Sequence, residues 1–213
     1  MTTLTSASTL SLYDVLRRFN LRQVEAKDFA PEYSTDLPEI TPSDRERLDE
    51  IKAQYLHLAQ RPCLETLVKM VVLSPLLALA GFYEPPFWLT AEESIELPME
   101  DESPNIRGKI DVLVVQNQLW IVVIEVKGSN YDVMQALPQA LVYMMASPQT
   151  HKPVYGLALN GRELFFIKLL KQPQPVYALS EVFSLSHRGN DLYEVLCRLK
   201  RLGAIAIKNL SLD

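Results

Sequence analysis

The stretch from Arg107 to Asp132, RGKIDVLVVQNQLWIVVIEVKGSNYD, limits the folds open to this chain more than any other. Two runs dense in β-branched and aromatic residues, joined by a short polar link, suit neighbouring strands of a buried sheet. Yet Lys109, Asp111, Glu125 and Lys127 are planted among them. Side chains alternate along a strand, so Glu125 and Lys127 share one face while Ile124 and Val126 take the other. In an antiparallel hairpin, a loop of Asn117 to Leu119 sets Asp111 opposite Glu125. A loop of Gln116 to Gln118 leaves it one pair away on the same face, and a two-residue loop puts the two acids on opposite faces. Convergence of the charges therefore requires an odd loop or a bulge.

With such a register, two carboxylates and an ammonium meet at one spot of an otherwise apolar sheet. Like charges that close repel, and burial makes the arrangement worse. A divalent cation removes both objections, and oxygen ligands with room for water and a phosphate describe a magnesium (or manganese) site. A cation of this kind polarises a phosphodiester and helps to deprotonate water, while a neighbouring lysine orients the nucleophile or steadies the developing charge. The chemistry implied is hydrolysis of a nucleic-acid backbone.

The rest of the chain supplies helices on either side. Residues 1–10, rich in Ser and Thr, are expected to fray, SLYDVLRRF (11–19) forms a short helix, and Ala30 to Pro42 reads as a connector. Ser43 with Glu46 makes a capping box for a helix over about 43–60, in which Leu48, Ile51, Tyr55 and Leu58 recur at helical spacing. LETLVKMVVLSPLLALAGF gives a second, buried helix, kinked or split by Pro75 and ended by Gly81. Its Glu65 and Lys69, four apart, share a face and suit a surface pair at the helix start. Strands follow in SIELPM, IRGKIDVLVV and LWIVVIEVK, then a helix in DVMQALPQALVYMMAS, strands in PVYGLALN and ELFFIKLL, and a closing helix capped by Asn190. The fold class is α/β, a mixed central sheet flanked by helices. Residues 1–42 are read as an N-terminal helix and connector, and 43–213 as a single domain.

Composition narrows the function classes. The 213 residues carry a net charge of -5, which disfavours non-specific coating of nucleic acid while allowing a local basic groove. Cys63 and Cys197 match no metal or redox spacing, and His57, His151 and His187 are scattered, so zinc is not expected and the thiols suit a reducing, cytoplasmic setting. No stretch has the length or character of a signal peptide or membrane span, so no membrane partner is expected.

Asp111, thirteen intervening residues, then Glu125-Val126-Lys127 resembles the PD-(D/E)XK nuclease superfamily, the restriction-endonuclease-like fold. The resemblance implies that Asp111, Glu125 and the Val126 carbonyl ligate Mg2+ or Mn2+, and that Lys127 is catalytic. It also implies that Glu65, on a helix ahead of the sheet, completes the metal site. Gln139 to Tyr143 resembles the Q-x-x-x-Y motif of the RecB-like branch, with Gln139 catalytic and Tyr143, together with Gln135 one turn earlier, available to the nucleic acid. Ile110 stands where the superfamily name has Pro. GKIDVLVV, IEVK, ALPQALVYM and PVYGLALNG are also similar to the N-terminal nuclease domain of type I restriction subunits, over roughly residues 61–170. No Walker A sequence accompanies them.

Two other E-x-K triplets, Glu25-Ala26-Lys27 and Glu50-Ile51-Lys52, lie in a polar segment and on a helix, where residues two apart do not share a face. The function implied is metal-dependent hydrolysis of DNA in restriction or repair, by a homodimer or with a restriction-system partner subunit. The alternatives are a nuclease-like domain that binds nucleic acid or a partner without cutting, and an interaction domain using the aromatics of YEPPFWL (83–89). Arg107 and Lys109 beside the site are the first candidates for phosphate contacts, with Lys152, Lys168 and Lys171 after them. Arg198, Lys200 and Arg201 read better as a solvated helix face.

Overall fold

A computed structural model describes residues 4–98, 104–116 and 119–210. The chain opens with strand β1 (Leu4–Ser6), helix α1 (Leu12–Arg18), β2 (Arg22–Gln23), the short α2 (Ala26–Phe29) and α3 (Pro42–Leu58). A continuous run follows, made of α4 (Glu65–Val68), a π turn (Lys69–Leu73) and α5 (Ser74–Leu79). Then come β3 (Trp88–Leu97), β4 (Asn105–Gln116), β5 (Leu119–Val126), α6 (Leu137–Ala146), β6 (Val154–Leu159), β7 (Glu163–Leu170), β8 (Val176–Leu179), β9 (Phe183–Ser184) and α7 (Leu192–Leu210).

Among the described residues the strands form one mixed nine-stranded sheet. Its main order is β1-β4-β5-β6-β7-β8-β2, with β3 on β4 and β9 on β7. The neighbours β5 and β6 run parallel, joined through α6, while β3, β4 and β5 are antiparallel. One face packs on α6 and α1 through residues such as Ile110, Val123, Leu141 and Tyr143. The other packs on α3, the split helix and α7 through Val114, Ile124, Val126, Leu73 and Leu199. The result is a layered α/β architecture with a restriction-endonuclease-like core.

Several local expectations change. Residues 1–3 lie outside the described residues, but 4–10 are built into the fold instead of fraying: β1 pairs in parallel with the start of β4, and Ala7 and Leu10 in and after the following 3-10 turn are buried. The supposed connector contains a 3-10 turn, Pro31–Tyr33, whose Tyr33 joins the core. Helix α3 starts at Pro42, one residue before the expected 43, because proline suits the first helical position. Its capping box is accordingly Thr41 with Asp44, not Ser43 with Glu46.

Pro75 splits its helix as expected, by a specific device. It has no N–H to offer the turn before it, and the backbone widens into the π turn, where the Ser74 N–H reaches the Lys69 carbonyl. Gly81, at φ +83°, ends the run. Strand β3 begins at Trp88, ahead of SIELPM, and Met99 lies outside the described residues. Asp132 to Ala136 form a capped 3-10 turn instead of helix, since Pro138 is tolerated only in a first turn, which sets the start of α6 at Leu137. Asn190 caps α7 by accepting from the Leu192 N–H at 3.2 Å.

Of the lysines proposed for phosphate contacts, Lys168 and Lys171 are structural. Lys168 pairs with Glu32 at 2.7 Å, and Lys171 donates to the Met145 and Ser147 carbonyls at the end of α6. The solvated face of α7 is also corrected, since buried Arg198 pairs with Glu181 at 2.6 Å. Lys200 pairs with Asp44 and Arg201 with Asp36. Cys63 and Cys197 are unpaired, and among the described residues no helix is long and apolar enough to cross a membrane.

Candidate active site

The register demanded by the sequence is met by a bulge. Gln116 pairs with Leu119 and Val115 with Trp120, but Val114 pairs with Val122, so β5 carries one extra residue. Beyond it Val112 faces Ile124, and the same register carries Asp111 opposite Glu125. The loop residues Asn117 and Gln118 lie outside the described residues. On the other flank the β3–β4 ladder skips a pair: Ala91 faces Val112 and Glu93 faces Ile110, while Glu92 between them adopts φ +57°. This left-handed kink falls beside Asp111 and leaves the Glu92 carboxylate 2.5 Å from the Lys109 ammonium.

Glu125 is 1 % exposed. Lys127, two residues on and on the same face, donates to its Oε1 at 2.6 Å and to Gln139 Oε1 at 3.1 Å. Gln139 in turn donates from Nε2 to Tyr143 Oη at 2.7 Å, and the Lys109 backbone N–H donates to the same phenol oxygen at 3.1 Å. The chain Lys127–Gln139–Tyr143 thus ties α6 to β4 and β5 and fixes the ammonium against Glu125. Gly108 is required here, because a Cβ on it would lie 2.5 Å from the Tyr143 ring.

Glu125 Oε2 is buried and, among the described residues, has no hydrogen-bond partner. Burial first, then the Asp111 charge, outweigh Lys127 and push the Glu125 carboxyl up to about 8, with Glu65 adding to the rise. Burial and the charge of Glu125 likewise push Tyr143 up to about 12, so the phenol keeps its proton.

Asp111 is held at both oxygens: Oδ2 accepts from the Val126 N–H at 2.8 Å, and Oδ1 lies 2.5 Å from the Lys69 ammonium. Glu65 starts α4, close enough for its charge to be felt by Glu125. It is set there by the junction between the preceding loop and the end of β5. The Cys63 N–H donates to Ser129 Oγ at 3.0 Å, and the Ser129 N–H donates to the Cys63 carbonyl at 2.9 Å.

Two clefts flank this cluster. One, about 590 Å³, is lined by Arg107, Lys109, Gln139 and Tyr143 together with Ser6 and Glu96. The other, about 610 Å³ and mostly apolar, is bounded by Lys69, Glu92 and Asp111. The structure therefore gathers Glu65, Asp111, Glu125, Val126, Lys127, Gln139, Tyr143, Arg107 and Lys109. It leaves Gln135 exposed, in the 3-10 turn Val133–Ala136 before α6, with no hydrogen bond to the cluster among the described residues.

Lys69 is the residue that sequence reasoning missed. Local spacing pairs it with Glu65 on a surface, whereas it reaches Asp111 from a partly buried position. A charge one turn along an otherwise apolar helix was the available signal. Among the described residues no three His, Cys, Asp or Glu side chains stand at metal-holding distance. Lys69 and Lys127 supply the positive charge that faces the acids.

A model of the family described as type I restriction enzyme R protein N terminus matches residues 17–175. The chain belongs to this family. The match begins well before residue 61, where the motif resemblance starts, in keeping with β2 and Tyr33 being part of the sheet and core. No match was found among curated proteins. Within the restriction-family domain, the aligned part takes in every residue gathered at the site, from Glu65 to Tyr143.

Proposed function

We propose that the protein is a Mg2+- or Mn2+-dependent nuclease that hydrolyses phosphodiester bonds of DNA in a restriction or repair setting. The observation that carries this reading is Glu125: a carboxylate buried to 1 % exposure, with one oxygen unpartnered and a second acid across the ladder. Such a group is costly unless something positive reaches it. Asp111, Glu125 and the Val126 carbonyl offer the hard oxygen donors that a divalent cation takes, with Glu65 beside them. When bound, a cation there supplies Lewis acidity to the phosphodiester and a lowered pKa to water.

The chain's own residues do the rest. Lys127, held by Gln139, directs its ammonium to the scissile phosphate or the attacking water. Tyr143 holds Gln139 in turn. Arg107 and Lys109 line the adjoining cleft for backbone phosphates, which position a duplex without reading its bases. A restriction-system partner subunit, or a second copy of the chain, would extend this small basic surface.

A second reading, a nuclease-like domain that binds without cutting, is favoured by the Lys69 contact at Asp111. Incubating the protein with linear and circular DNA in Mg2+, in Mn2+ and in EDTA separates the two. Metal-dependent cleavage by the wild type, absent in Asp111→Ala and Glu125→Ala, supports the nuclease. DNA that is bound but left whole under every condition supports the second reading.

A further inference from the structure

Lys69 stands where a cation would be needed. Its ammonium lies 2.5 Å from Asp111 Oδ1, and both side chains are largely withdrawn from solvent, at 26 % and 17 % exposure. The other Asp111 oxygen is taken by the Val126 N–H. A divalent ion can therefore bind Asp111 directly only by displacing or crowding the lysine. The displaced ammonium has somewhere to go, because Lys69, Asp111 and Glu92 bound the same 610 Å³ cleft and the Lys69 charge is already felt by Glu92.

We propose that Lys69 is a built-in counter-ion that competes with the divalent cation for Asp111 and so sets the cation concentration at which the site loads. The inference rests on the reading of Asp111 and Glu125 as cation ligands. An exchange of this kind leaves Asp111 with a positive partner in both states. The metal-free protein keeps Asp111 satisfied without cation, and loading frees a mobile ammonium at the wall of the cleft. Lys69 is a positioning residue here, not a catalytic one.

The test is calorimetric titration of Mn2+ into wild type, Lys69→Met, Lys69→Arg and Asp111→Ala, with melting temperatures recorded with and without the ion. Lys69→Met keeps the length and apolar stem of the side chain but removes its charge. Its dissociation constant for Mn2+ should fall roughly tenfold or more, the scale on which residues that contact metal ligands alter affinity. Its metal-free melting temperature should drop while its metal-bound one recovers, and Lys69→Arg should stay near the wild type.

Binding by Lys69→Met where the wild type binds none would support the inference in its strongest form. Equal affinity in wild type and Lys69→Met, lost in Asp111→Ala, would overturn the competition while leaving the cation site standing. No binding by any of the proteins would overturn both.

Discussion

Glu125 is an acid whose carboxyl this fold holds well above the ordinary carboxylate range even with the Lys127 ammonium beside it. Its carboxyl moves from the ordinary 4.5 to about 8, chiefly through burial. Between those values the folded protein holds a proton that the unfolded chain has released. The associated stability is therefore complete below about 4.5, declines as the pH rises, and is gone above about 8. In the metal-free protein, Glu125→Gln should remove that part of the slope, measured as urea unfolding free energy at mildly acidic and mildly alkaline pH. Equal slopes in the two proteins would refute the assignment. At the neighbouring position, Lys127→Met should keep the fold and cost on the order of 100-fold or more in cleavage rate, the scale of losing one charge-stabilising donor. Tyr143→Phe strips an acceptor from both Gln139 and the Lys109 N–H. Leaving such groups unpaired costs about 1–3 kcal/mol, visible as a lower midpoint in thermal or chemical unfolding.

At the scale of elements, the site depends on two departures from regular strand, the bulge in β5 and the kink at Glu92, and on the close approach of α6 to β4 at Gly108. Gly108→Ala should push Tyr143 out of place and destabilise by about 1–3 kcal/mol, the usual cost of overpacking. Cleavage should fall with it, because the Lys127–Gln139–Tyr143 chain loses its anchor; unchanged unfolding and activity would show that α6 can shift freely. This is also where sequence and structure part company. The apolar runs and the spacing of Asp111, Glu125 and Lys127 were enough to require an odd loop or a bulge, but not to choose between them. Strand β3 was read short because Glu92 and Glu93, which suit an exposed edge, broke its apolar pattern. The strands β2, β8 and β9 are too brief for periodicity to register. Lys69 escaped notice because its partner is 42 residues away and local spacing pointed to Glu65.

For the molecule as a whole, the opening segment matters more than its Ser- and Thr-rich composition suggests. Deleting residues 1–10 removes β1 from β4 and takes the buried Ala7 and Leu10 out of the core. The loss should be roughly 2 kcal/mol or more, about that of exposing one large aliphatic side chain and its neighbours, and a shortened protein that melts with the full chain would contradict it. The two faces of the sheet differ in their work. Under α3 and α7, Lys168, Arg198, Lys200 and Arg201 are tied in ion pairs, while Arg107 and Lys109, the latter paired with Glu92, line the cleft beside the acids. On the proposed reading, Asp111 and Glu125, brought together across β4 and β5, hold a divalent cation. Anomalous diffraction from crystals soaked in Mn2+ tests it most directly. A strong peak is expected between the Asp111 and Glu125 carboxylates, with Lys69 moved away from Asp111; a soaked crystal with no peak there and both ammoniums still seated on the acids would rule the cation site out.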